Sequence, residues 1–126
     1  MTRVKVESEK GFYIGDVCYV LDDDIYYNVW GNIHEFKDGW VKDPKTGLHF
    51  AVARTAWGDG GYEGNDEFIY HVDAGVIGLV PMELCSKQTD GGRFVEGGGV
   101  AMFFAEKGKF EISLPNGEII NIDTDY

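Results

Sequence analysis

Phe110-Glu111-Ile112-Ser113-Leu114-Pro115-Asn116-Gly117-Glu118-Ile119-Ile120-Asn121-Ile122 decides the fold class. Phe110, Ile112 and Leu114 alternate with Glu111 and Ser113, the period-2 pattern of a strand with one buried face. Pro115-Asn116-Gly117 reads as a turn, in which Asn-Gly supplies the pair of positive φ angles that a hairpin favours. Ile119, Ile120 and Ile122 form the return strand, so the expected unit is an antiparallel hairpin. Working outward, Val100 to Phe104, Gly75 to Leu84, Glu67 to Val72 and Phe50 to Trp57 read as further strands. So do the apolar run Phe12 to Leu21 and the alternating Val4 and Val6.

The period changes once. Ile25, Val29, Ile33 and Phe36 fall at i, i+4, i+8 and i+11, with Tyr26 and Trp30 beside them, which is one apolar helix face. Asp22, Asp23 and Asp24 suit a cap at the positive end of the helix dipole, and Gly39 suits a terminator. The spacing predicts a helix at about 23–37 whose four apolar positions are buried. The expected fold is α+β: a single domain over residues 1–126, mainly a curled antiparallel sheet or sandwich of about seven strands, with that one helix packed on it.

The chain has 126 residues, 44% of them apolar and 14% aromatic, enough for a real core. Its formal charge is −11, from 11 basic and 22 acidic side chains. That balance argues against direct nucleic-acid contact and against a polybasic membrane surface, both of which need clustered Lys and Arg. No apolar run is long enough to span a bilayer. Met-Thr-Arg-Val-Lys-Val-Glu has no apolar core of a secretion signal, so the expected compartment is the cytoplasm, with Cys18 and Cys85 reduced. Glycine is abundant, 18 residues, and Gly58–Gly64 is its densest cluster.

The common catalytic fingerprints are absent: no P-loop, no GxGxxG, no GxSxG and no HExxH. An EF-hand frame begun at Asp59 puts Tyr70 where a bidentate Glu is required, so it fails. Asp59, Glu63, Asp66 and Glu67 leave a weak divalent-cation site as an alternative to a solvated acidic turn. Asp16 and Cys18, and likewise His71 and Asp73, share strand faces at i, i+2. If the two strands met, Cys18 would be a nucleophile, His71 its base and Asp73 the orienting group. The bland reading makes Asp16 and Asp73 strand-end acceptors of backbone N–H bonds. A metal-assisted hydrolase would draw on Asp16, Asp59 and Asp73, with His71 as a further candidate. No cofactor is expected.

The residues favoured for ligand or partner binding are Trp57, Asp59, Tyr62, Glu63 and Asp66. Trp57 and Tyr62 flank the glycine-rich turn, where rings stack on a ligand or anchor a partner. Trp40 follows the helix. The competing reading places all three rings in the core.

Three segments in order resemble a group of small uncharacterised proteins encoded by phages and bacteria. They are Ile14-Gly15-Asp16-Val17-Cys18-Tyr19-Val20, Ala56-Trp57-Gly58-Asp59-Gly60-Gly61-Tyr62, and Val72-Asp73-Ala74-Gly75-Val76-Ile77-Gly78-Leu79-Val80-Pro81-Met82-Glu83-Leu84. The resemblance covers about residues 12–85, with Val17 where that pattern often has Pro. It implies a cytoplasmic, often phage-borne, β-rich protein and brings no reaction with it. The leading expectation is a non-enzymatic binding protein, a phage-encoded inhibitor of a host or defence protein whose acidic surface meets a basic protein partner. The alternatives are a nucleotide-type small-ligand binder and the metal-assisted hydrolase.

Overall fold

A computed structural model describes residues Met1–Asp125. Thr2–Ser8 (β1) and Gly11–Gly15 (β2) lead into a 3-10 turn at Val17–Tyr19 and a π-helix at Asp24–Ile33. Gly39–Lys42 (β3), His49–Arg54 (β4), Gly60–Glu63 (β5), Ile69–Val72 (β6) and Val76–Pro81 (β7) follow. After a 3-10 turn at Met82–Leu84 come Arg93–Glu96 (β8), Gly99–Glu106 (β9), Lys109–Ser113 (β10) and Ile119–Asp123 (β11). The pairing is antiparallel throughout, in a four-stranded sheet β1-β9-β10-β11, a five-stranded sheet β3-β4-β7-β2-β8 and the hairpin β5-β6. The described residues thus hold eleven strands rather than about seven. The extra ones are short pieces: β5 lies in the glycine-rich turn, and β3 and β8 lie where the sequence pattern predicts no strand.

The two larger sheets share one bent ribbon. Ser8 lies opposite Gly99 in the first sheet, and Gly11 lies opposite Glu96 in the second, in one continuous register. At the corner the Gly97 N–H donates to the Lys10 carbonyl at 3.0 Å. A Cβ on Gly98 would stand 2.3 Å from the Glu9 carbonyl oxygen, so only glycine lets the strands cross this closely. The Gly97–Gly99 cluster is therefore a corner between sheets.

β2 and β7 are buried on both faces. Phe12, Ile14, Ile77 and Leu79 face Phe103, Phe110, Ile112 and Ile120 of the four-stranded sheet. Tyr13, Val52, Val76 and Val80 face Val17, Leu21, Ile25, Val29 and Trp30. The five-stranded sheet is thus the middle layer between a second sheet and a helical layer. The expected strand from Phe12 to Leu21 ends at Gly15, and the strand from Gly75 to Leu84 covers only Val76–Pro81, because both runs continue into 3-10 turns. The Pro115-Asn116-Gly117 turn also differs from its expected form. Only Gly117 has positive φ, and Leu114 N–H donates to the Glu118 carbonyl at 2.9 Å, which makes a three-residue loop ending in a left-handed glycine.

The predicted helix over 23–37 is a π-helix over Asp24–Ile33, with Asp22 Oδ1 accepting the Ile25 N–H. Its bonds reach back five residues, as in His34 N–H to the Val29 carbonyl at 3.2 Å. The wider turn carries a stripe spaced for 3.6 residues off the buried face. Ile25 and Val29 are buried as expected, whereas Ile33 is 66% exposed and Phe36 is 40% exposed. No helix among the described residues is long and apolar enough to cross a membrane.

The Gly58–Asp66 stretch, read as a loop, contains β5. The β5-β6 hairpin fills the open side between β11 and the start of β8. Asn65 N–H donates to the Asn121 carbonyl, Asn65 Oδ1 accepts the Asn121 N–H, and Asn65 Nδ2 donates to the Ile119 carbonyl. One residue thus satisfies a stretch of strand edge that would otherwise be open for pairing. At the other end His71 N–H donates to the Gly91 carbonyl.

Candidate functional site

Asp16 ends β2 with its carboxylate fully buried. Oδ1 accepts the Cys18 N–H at 3.0 Å, and Oδ2 accepts the N–H groups of Asp73 and Ala74 at 2.8 and 2.6 Å. This clip ties the turn after β2 to the turn after β6. Sequence spacing does bring Asp16, Cys18 and Asp73 together here, but for tethering. Burial, with Asp16 adding to it, pushes the Cys18 thiol up to about 12, so it stays protonated at neutral pH and is a poor nucleophile. Asp73 accepts the Tyr19 hydroxyl at 2.7 Å. Among the described residues no hydrogen bond joins the His71 side chain to Cys18 or Asp73, so the nucleophile-base-acid relay is not assembled. Nor does any group of three His, Cys, Asp or Glu among them stand ready for a metal ion. The set Asp16, Asp59 and Asp73 is not such a group, and neither is the set Asp59, Glu63, Asp66 and Glu67.

The favoured binding residues disperse. Tyr62, expected beside the glycine-rich turn as a binding ring, is 3% exposed and donates its hydroxyl to the Gly58 carbonyl at 3.0 Å. Trp57, on the other flank of that turn, is 67% exposed. Alternation in β5 turns Tyr62 inward, and Trp57 precedes that strand. Asp66 is committed to structure: it accepts Tyr70 Oη at 2.7 Å and Arg93 Nη1 at 2.8 Å, while Arg93 makes a two-pronged pair with Glu118. Asp59 and Glu63 are exposed. Trp40 stacks on His49, ring centroids 3.6 Å apart.

An open cleft of about 580 Å³ with an aromatic wall lies elsewhere, beside the π-helix. Tyr26, Tyr27, Trp30 and Phe36 form one wall. Arg54, Thr55, Gly58, Ala74 and Gly75 contribute to the other. The rings meet mostly edge to face: Tyr26 to Trp30 at 5.3 Å, Trp30 to Phe36 at 5.0 Å and Tyr27 to Phe36 at 6.5 Å. Phe36 reaches this wall because the chain doubles back after Ile33. Glu35 and Phe36 both adopt left-handed backbone, φ 55° and 54°. Phe36 N–H donates to the Trp30 carbonyl, and Trp30 Nε1 donates to the Lys37 carbonyl. Gly31 makes room, since a Cβ there would lie 2.6 Å from Phe36 Cζ. Burial pushes the Tyr26 phenol up to about 12.

Sequence reasoning missed this cleft. Tyr26 and Trp30 stand in the sequence only as neighbours of a helix stripe, and Tyr27 falls on its polar side. The one local signal is Gly31, a helix-interior glycine that costs about 1 kcal/mol relative to Ala and so wants a packing reason. A smaller cleft of about 410 Å³ shares Arg54 and Thr55 and is lined by Trp57. No family model, curated protein or solved structure matches the chain.

Proposed function

We propose that the protein is a non-enzymatic binding protein and that the aromatic cleft beside the π-helix is its recognition surface. The observation that carries this reading is the pair of consecutive left-handed residues, Glu35 and Phe36. For residues other than glycine that backbone costs roughly 1–2 kcal/mol each, and such strain concentrates at binding and switch sites. Here it holds a phenylalanine ring partly in solvent, where it adds less to core stability than a buried ring. Tyr27, 56% exposed, stands beside it. The volume lies within the roughly 300–1,000 Å³ typical of ligand clefts. The test is a titration of the ¹⁵N-labelled protein with aromatic probes. Amide shifts should move at Gly58, Ala74 and Gly75, and Phe36→Ala should suppress them while leaving the fold intact. Probes that shift residues only outside the cleft overturn the assignment.

The charge of −11 supports a second reading, an inhibitor of a host or defence protein, phage-encoded and cytoplasmic, whose partner presents a basic surface. Asp23, Asp24, Glu35 and Asp38 are exposed on the helical segment and its exit. The two free cysteines suit a reducing compartment. Attraction of this kind is screened over about 8 Å at physiological ionic strength, so partner affinity should fall steeply with salt. Affinity that is flat from low to high salt speaks against it.

A further inference from the structure

Resting on the binding reading above, we infer that the cleft takes a small planar aromatic molecule carrying an anionic group, held by the rings on one side and by the Arg54 guanidinium on the other. Among the described residues lining the cleft Arg54 is the only charged one, in a protein with twice as many acidic as basic side chains. Asp38 Oδ1 accepts the Arg54 backbone N–H at 3.1 Å and stands 3.8 Å from Nε. That single contact, on a side chain 68% exposed, is not a short two-pronged pair, so the guanidinium fork stays available for a carboxylate or phosphate.

Gly58 and Gly75 also line the cleft, Gly75 with φ 78° and a Cβ there 3.6 Å from Gly58 Cα, so main chain as well as aromatic side chains is open to contact with a flat ring. The overall negative charge repels an anion at long range, but salt screens that field, whereas the guanidinium acts at contact. A cationic aromatic of the same size meets the guanidinium and no carboxylate among the described residues lining the cleft.

The experiment titrates the ¹⁵N-labelled protein with indole-3-acetate, tryptophol and tryptamine, one ring system in three charge states. AMP against adenosine separates phosphate from carboxylate as the favoured anion. Indole-3-acetate should bind at least tenfold more tightly than tryptophol, and tryptamine most weakly. Arg54→Gln should abolish the preference and leave tryptophol unchanged. Asp38→Asn, which keeps an acceptor for the Arg54 N–H, should tighten the anionic probes. Preference for AMP over adenosine without preference for indole-3-acetate assigns the anion as phosphate and supports the inference. Equal binding of the charged and neutral members of both pairs, or an anion preference that survives Arg54→Gln, overturns it while the cleft shifts still uphold the binding reading. No shift at Gly58, Ala74 or Gly75 with any probe overturns both.

Discussion

Tyr62 shows how one residue's direction changes what its neighbourhood does. Its ring lies in the core shared by the two larger sheets, beside Tyr70 and Val72. Replacing it by alanine should cost about 3–5 kcal/mol, the usual range for removing a large buried ring. Asp59→Ala, three residues away and exposed, should stay within about 0.5 kcal/mol. Urea denaturation of the two single variants separates them, and equal stabilities would contradict the burial. The glycine cluster is legible as special, but not which ring it serves, because alternation has no anchor in a run of glycines. Cys18 and Cys85 give a chemical counterpart. Burial is the leading cause that lifts both thiols to about 12. Iodoacetamide at about pH 7.5, below even an unperturbed thiol's pKa, should label them slowly in the folded protein and faster after denaturation, as read by mass spectrometry. Rapid native labelling of Cys18 would restore it as a nucleophile.

At the scale of elements, legibility follows how many faces an element buries. β10 and β11 bury one face each, so period-2 alternation locates both within a residue or two. β2 and β7 bury both faces, and an unbroken apolar run does not mark where extended chain gives way to a 3-10 turn. The helical segment misleads differently. Its apolar spacing fits an ordinary helix, yet the segment takes the wider π form, with Phe36 packed where a Cβ on Gly31 would stand. The same spacing assigns Ile33 to the core, whereas the side chain stands in solvent. Ile33→Asp should change stability by no more than about 0.5 kcal/mol, as at other exposed sites. Glu35→Gly should raise stability by up to about 1 kcal/mol, since glycine tolerates φ 55° without a Cβ clash. Thermal melts of the two variants check both signs, and an unfolded Ile33→Asp protein would reinstate the regular helix.

At the scale of the whole molecule, buried groups that resist ionisation set the alkaline limit of stability, and one shared corner joins the sheets. Burial raises the phenols of Tyr13, Tyr70 and Tyr26, and the thiols of Cys18 and Cys85, above their ordinary values of 10.0 and 9.0. The unfolded chain loses these protons at lower pH than the folded one, so it binds fewer protons in that window. The stability they contribute is full below about pH 9 and is lost as pH rises toward about 12, a trend that denaturant melts across this range should follow. The corner makes a sharper demand. β1 with β2 and β8 with β9 form one ribbon in one register, so the two sheets cannot separate without breaking it. Gly98 sits where that ribbon bends, and a Cβ there would meet Glu9 O, C and Cα at 2.3, 2.6 and 2.9 Å. All three are backbone atoms, so no side-chain rotation relieves the contact. Gly97, by contrast, has open space where a Cβ would stand, and only its φ of 108° opposes a substitution. Gly98→Ala should therefore cost about 3 kcal/mol, the upper part of the range for overpacking, and Gly97→Ala roughly 1–2 kcal/mol from backbone strain. For a chain of this size the first corresponds to a melting point lower by roughly 10 °C. Because the ribbon belongs to both sheets, near- and far-ultraviolet circular dichroism should still report one coincident transition in each variant. A Gly98→Ala protein that melts with the wild type would show that the strands do not cross so closely, and two separated transitions would show that the sheets fold independently of the corner.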